Sequence, residues 1–167
     1  MVCPDKIAKD GDPGNRETNL ITKRKHMSDL DKAIQLAARI HAGQKDRYGR
    51  PYILHPLRVM MKVKTDQEKT VAILHDVIED SDLELKDLAE EGFSSEIVAA
   101  VDCLSKRDGE VYQDYIKRVL PNPLARTVKL ADLEDNMNLE RVDHLEEKDF
   151  KRFARYHRVW LMLKNAE

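Results

Sequence analysis

Two side chains that commonly bind metals, His75 and Asp76, stand next to each other, and two more carboxylates, Glu79 and Asp80, follow within the same short stretch. The apolar lead-in Val71-Ala72-Ile73-Leu74 contains no Gly or Pro, so residues 66 to 80 are expected to form one mostly buried helix. Neighbours four apart share a helix face, which would stack Glu79 over His75 and Asp80 over Asp76. Carboxylates crowded this closely on an apolar helix repel one another and lose hydration. A bound cation is the simplest relief.

Two distant places supply further donors: His55, in Tyr52-Ile53-Leu54-His55-Pro56, and Asp132, in Val128-Lys129-Leu130-Ala131-Asp132. Two imidazoles and two carboxylates form a mixed nitrogen and oxygen set suited to Mn, Fe or Zn, and less natural for Mg. Taken singly, each residue has an ordinary explanation. His55 beside a proline reads as structural, Asp132 as the ion-pair partner of Lys129, and Glu79 with Asp80 as a solvated helix end. The joint pattern carries the metal reading.

The elements that must position these groups read as helices. Ser28 and Asp31 open a helix whose apolar set Leu30, Ala33, Ile34, Ala37, Ala38 and Ile40 runs to about Ala42, with Gly43 as its stop. Residues 44 to 51 read as an exposed basic loop, followed by a helix from Leu57 to Val63 with Pro56 near its first turn. After the 66 to 80 helix come Leu85 to Glu91, Ser94 to Leu104, Glu110 to Leu120, Leu124 to Leu139 and Lys148 to Lys164. Val111, Tyr115, Ile116 and Val119 form the apolar side of the third of these. Phe150, Phe153, Ala154, Val159, Trp160 and Leu163 are expected to face inward from the last. With no convincing strand and no repeat, the chain is expected to be an all-α domain of about seven or eight helices.

Composition agrees. The 167 residues suit one domain, with 41% hydrophobic and 36% charged residues and only 6 Gly and 6 Pro. A net charge of -2 gives no bulk reason to expect nucleic acid or an anionic membrane as partner. Cys3 and Cys103 form neither a metal pair nor a disulfide framework, which favours a reducing cytoplasm, with Cys103 as a small core residue. No segment has the roughly 20 apolar residues needed to span a bilayer. Residues 1 to 27, with the basic Lys23-Arg24-Lys25, are expected to be a flexible tail without chemistry, Met27 being a candidate start, and residues 28 to 167 the domain.

In order along the chain, His55, His75-Asp76 and Asp132 resemble the H…HD…D signature of the HD superfamily of metal-dependent phosphohydrolases. More narrowly, Pro51 to Pro56, His75 to Asp80 with its extended HDxxED form, and Lys129 to Asn136 resemble the hydrolase domain of the Rel/Spo alarmone enzymes. The resemblance runs from about Ala33 to Tyr156 and, with no synthetase or regulatory extension, suggests a stand-alone small alarmone hydrolase on a helical HD bundle. It implies Mn-dependent removal of the 3′-pyrophosphate from ppGpp, pppGpp or ppApp. His55, His75, Asp76 and Asp132 would hold one metal; Glu79 and Asp80 would position and deprotonate the attacking water. Asn136, Arg152 and Tyr156 match positions that contact ribose, phosphate or nucleotide.

A polyanionic substrate requires cations along its cleft, and Lys45, Arg47, Arg50, Lys106 and Arg107 are the candidates. Of these, Lys45, Arg47 and Lys106 complete the expected substrate set. One departure bears on the base: Asp46-Arg47-Tyr48 stands where Rel/Spo hydrolases have Arg-Lys-Ser. An acid there would either accept hydrogen bonds from a purine or repel phosphate, which leaves guanine and adenine both open. Leu133 and Leu139 also replace polar family residues. The partners implied are a small nucleotide, neither nucleic acid nor membrane, and a homo-oligomer is compatible. The alternatives are another HD phosphatase releasing orthophosphate, and a module that binds alarmone without cleaving it.

Overall fold

The computed structural model describes residues 27 to 166, so the tail expected before Met27 and its basic run lie outside the described residues. Among the described residues, eight α-helices occur in the order α1 (Asp29–Ile40), α2 (Leu54–Lys62), α3 (Asp66–Leu74), α4 (Leu85–Glu90), α5 (Ser95–Leu104), α6 (Tyr112–Val119), α7 (Pro123–Asn136) and α8 (Glu147–Lys164). A short 3-10 turn, Leu139–Arg141, joins α7 to α8. Local chemistry sets most starts. Ser28 and Asp31 form a reciprocal capping box on α1, as do Thr65 and Glu68 on α3. Asn122 caps α7 by accepting from the Ala125 N–H at 2.9 Å, with Pro123 in the first turn.

Helix α3 is the centre of the molecule. Its residues Thr70 to Leu74 are buried on every side, and it packs against α1, α2, α5 and α7. Val59, Val101, Ile116, Val128, Leu133 and Leu163 close the surrounding core. Cys103 is half-buried against that core.

The expected 66 to 80 helix ends early. The chain leaves the α-helix at His75 and runs to Asp80 in turns, with Val77 N–H bonded to Leu74 C=O (3.1 Å) and Asp80 N–H to Asp76 C=O (3.0 Å). His75 itself keeps right-handed helical backbone angles (φ -60°, ψ -26°).

Other differences are smaller. Helix α2 begins three residues early, at Leu54, which places His55 and Pro56 in the first turn, where backbone N–H groups have no helical partner. Helix α7 stops at Asn136 rather than Leu139. Phe150 (59% exposed) and Val111 (56% exposed) face solvent, as do Ala38 and Ala154. Residues 44 to 51 form a tight hairpin closed by a Lys45–Pro51 bridge, with Gly49 supplying the left-handed residue of its turn (φ 75°). No described helix is long and apolar enough to cross a membrane.

Candidate metal centre and substrate cleft

Helices α2, α3 and α7 pack against one another, and this brings the distant donors together. His55 projects from the first turn of α2, His75 and Asp76 from the end of α3, and Asp132 from the third turn of α7. His75 Nε2 lies 3.1 Å from Asp76 Oδ2 and 3.9 Å from Asp132 Oδ1. His55 Nε2 lies 3.2 Å from Asp132 Oδ1 and 3.7 Å from Asp76 Oδ2. Donors that share one ion at about 2.1 Å each are themselves roughly 3 to 4 Å apart; donor atoms of His55, His75 and Asp76 all lie within 4.8 Å of one another, and Asp132 Oδ1 approaches both imidazoles.

The ring orientations fit as well. His75 Nδ1 donates to the Ala72 carbonyl (2.7 Å), which leaves the lone pair on Nε2; that nitrogen is buried and has no hydrogen-bond partner. His55 Nδ1 sits 2.7 Å from Asp135 Oδ2, again leaving Nε2 for the centre. An orphaned buried nitrogen aimed at two carboxylates is what a divalent ion would satisfy. The carboxylates are oriented in turn. Tyr52 donates its hydroxyl to Asp76 (2.6 Å), Lys129 donates to Asp132 Oδ2 (2.8 Å), and the Asn136 amide donates to Asp132 Oδ1. The ordinary Lys129–Asp132 pair is thus present, and it leaves the other Asp132 oxygen facing the histidines.

Charge is shared strongly across the cluster. Burial works against charge on His55, but the carboxylates of Asp132, Asp135 and Asp76 outweigh it and push its pKa up to about 9. Burial likewise opposes ionisation of Asp76 and Asp132, yet His75 and His55 beside the first, and Lys129 and His55 beside the second, hold both below the usual carboxylate range. Glu79 and Asp80 move the other way. Loss of solvent, then the negative charge of Asp76, raises both. Glu79 accepts the Lys106 backbone N–H, and Asp80 Oδ2 lies 3.6 Å from Nδ1 of the buried His41.

A cleft of about 280 Å³ opens beside the metal donors. Of the expected substrate residues, Lys45, Arg47 and Asn136 line it together with His55, Asp76 and Asp132. Arg152 reaches its lip, donating to the hydroxyl of the cleft-lining Tyr48 at 3.2 Å and pairing with Asp149 at 2.7 Å. Lys106 lies instead on the Glu79 side, along a second cleft of about 600 Å³ shared with Arg107. Tyr156 packs against the core with the Arg155 guanidinium over its ring. Asp46 lines the main cleft, but both its oxygens are engaged within the protein. Oδ1 accepts from the N–H groups of Tyr48 (2.9 Å) and Arg50 (3.0 Å), and Oδ2 accepts from Arg141 (3.0 Å). Leu133 is core and Leu139 is exposed; neither lines this cleft.

Sequence reasoning missed Tyr52, His41, Asp135, Arg58 and Arg141. Asp135 alone carried a signal: it lies three residues after Asp132, on the same helix face, and it is 1% exposed.

No family model matches the chain. Among curated proteins it is similar to a GTP pyrophosphokinase of Streptomyces coelicolor, 31% identical over 135 residues, which cover 73% of this chain and 16% of that protein. It is also similar to guanosine-3′,5′-bis(diphosphate) 3′-pyrophosphohydrolases of Aquifex aeolicus (30% identical, 67% of this chain and 18% of that protein) and Borreliella burgdorferi (38% identical, 45% and 12%). The chain therefore spans less than a fifth of the length of these relatives. A solved structure of a metazoan ortholog of SpoT, described as hydrolysing ppGpp, shares the fold, with a TM-score of 0.71, 23% identity and coverage of 84% of this chain and 88% of that one. The chain is a relative of the Rel/Spo hydrolase domain, built on the all-helical HD fold.

Proposed function

We propose that this protein hydrolyses the 3′-pyrophosphate of a hyperphosphorylated purine nucleotide, ppGpp, pppGpp or ppApp, releasing pyrophosphate and GDP, GTP, ADP or ATP. His55, His75, Asp76 and Asp132 hold one divalent ion, Mn2+ by the mixed donor set. The observation that carries this reading is the convergence of those four donors beside a cleft lined with cations. The relatives bear two opposite printed activities, GTP pyrophosphokinase and 3′-pyrophosphohydrolase. A buried imidazole–carboxylate cluster favours the hydrolytic one.

When bound, a divalent cation makes water more acidic and offsets charge at the phosphorus. The side chains do the rest. Glu79 and Asp80 position the attacking water and take its proton; their raised pKa values bring each closer to the working pH of a general base. Lys45, Arg47 and Asn136 receive phosphate and ribose from the cleft wall and Arg152 approaches from the lip, whereas Lys106, on the Glu79 side, and Tyr156, packed on the core, lie outside this cleft. Because Asp46 spends its oxygens on the protein, the base is read by other groups, which leaves ppGpp and ppApp to be compared directly.

The test is an assay of ppGpp and ppApp side by side with Mn, the products separated by phosphate type. Pyrophosphate that disappears with a chelator and returns with Mn supports the reading. Orthophosphate as product, or turnover indifferent to chelation, overturns it. Nucleotide binding without turnover across Mn, Fe and Zn would make the protein a binding module.

A further inference from the structure

A line of buried charge runs from the metal donor His55 to the cleft hairpin, and none of it is needed to bind the ion directly. His55 Nδ1 meets Asp135 Oδ2 (2.7 Å) across 80 positions of sequence. Arg141 donates to that same oxygen through Nη1, and also to the Asp135 carbonyl (3.0 Å). Through Nη2 it then reaches Asp46 Oδ2 (3.0 Å), 95 positions away. Its side chain is only 9% exposed, as is fitting for a planar fork with a carboxylate at each end. Arg58 also binds Asp135, at 2.7 Å through Nε, but it is 31% exposed and makes no bond to the hairpin.

We propose that Arg141 is a positioning residue that couples the metal donor His55, through Asp135, to the hairpin 44 to 51, through Asp46, so that the ion and the cations Lys45 and Arg47 are held in one register. The physical reason is that a buried guanidinium held by two carboxylates has few alternative geometries: without Asp46 it is tied only to Asp135, and without Arg141 the Oδ2 of Asp46 loses its side-chain partner. Asp46 holds its own turn through the Tyr48 and Arg50 amides. Any movement at Asp46 is therefore a movement of the whole hairpin. The proposal rests on His55 being a metal ligand.

The experiment measures Mn affinity by calorimetry, without substrate, for wild type, Asp46→Asn, Arg141→Gln and the double variant, each checked by thermal unfolding. Arg141→Gln is expected to weaken Mn binding roughly tenfold, the lower range for a group that orients a ligand. Asp46→Asn, which cannot touch the ion, weakens it several-fold in wild type. In the Arg141→Gln background it changes Mn affinity by less than about twofold, the limit expected of independent sites. Wild-type Mn affinity in Arg141→Gln, or an Asp46→Asn effect equal in both backgrounds, overturns the coupling. If Arg141→Gln does not fold, Arg141→Lys replaces it, since one ammonium cannot fork to both carboxylates. A wild-type protein that binds no Mn would instead defeat the metal reading itself.

Discussion

An imidazole offers a metal only the nitrogen that carries no proton, so each ligand histidine needs something to hold its other nitrogen. His75 uses the Ala72 carbonyl and His55 uses Asp135. With Asp132, Asp135 and Asp76 around it, the metal-free His55 keeps its proton up to about pH 9. A raised pKa means proton and metal compete below that value. Mn affinity is therefore expected to rise with pH, by up to about tenfold per unit, and to level off above it; calorimetry at several pH values reads this directly, and a flat profile from pH 6 to 9 would contradict it. The acids divide by role. Asp76→Ala is expected to lose metal and activity together. Glu79→Ala is expected to keep Mn affinity and lose about 10²- to 10⁴-fold in turnover, the usual worth of a positioned base. Normal turnover in Glu79→Ala would remove that role. His55, His75, Asp76 and Asp132 stand out in the sequence as candidate donors because their types and order are specific. Arg58 does not, since its partner Asp135 lies 77 positions away, nor does the tie of Arg141 to Asp46, 95 positions away.

At the scale of elements, the residues of a site are only as fixed as the segments that end beside it. The end of α3 at Leu74 could not be read from an apolar run without Gly or Pro. Capped starts were easier, because Ser28 and Ser94 act within three residues of themselves. The far wall depends on Arg118, which donates to the Asp102 and Ser105 carbonyls at the end of α5 and pairs with Glu110 at 2.7 Å. That tie anchors the loop whose Lys106 N–H holds Glu79. The Arg118 guanidinium lowers Glu110 to about 2 from an ordinary 4.5. A depressed carboxylate gives stability that is complete above its ordinary pKa and lost as pH falls through the folded value. Between pH 4.5 and about 2, wild type is therefore expected to lose stability more steeply than Glu110→Gln in denaturant titrations. Equal slopes in that window would mean the pair is not formed.

For the whole molecule, a helical core serves to bring α2, α3 and α7 to one point. The number and order of helices followed from apolar spacing and breakers, but the meeting point did not, because spacing along one helix says nothing of which neighbour it packs against. Burial of Val71 to Leu74 on all sides fixes α3 in the middle, and donors from three helices converge at its end. Everything proposed for the chemistry depends on that convergence holding a single ion. The direct measurement is anomalous diffraction from crystals grown with Mn. One strong peak is expected within bonding distance, about 2.2 Å, of His55 Nε2, His75 Nε2, Asp76 and Asp132. A peak ligated elsewhere, or none at these four side chains at saturating Mn, would contradict it.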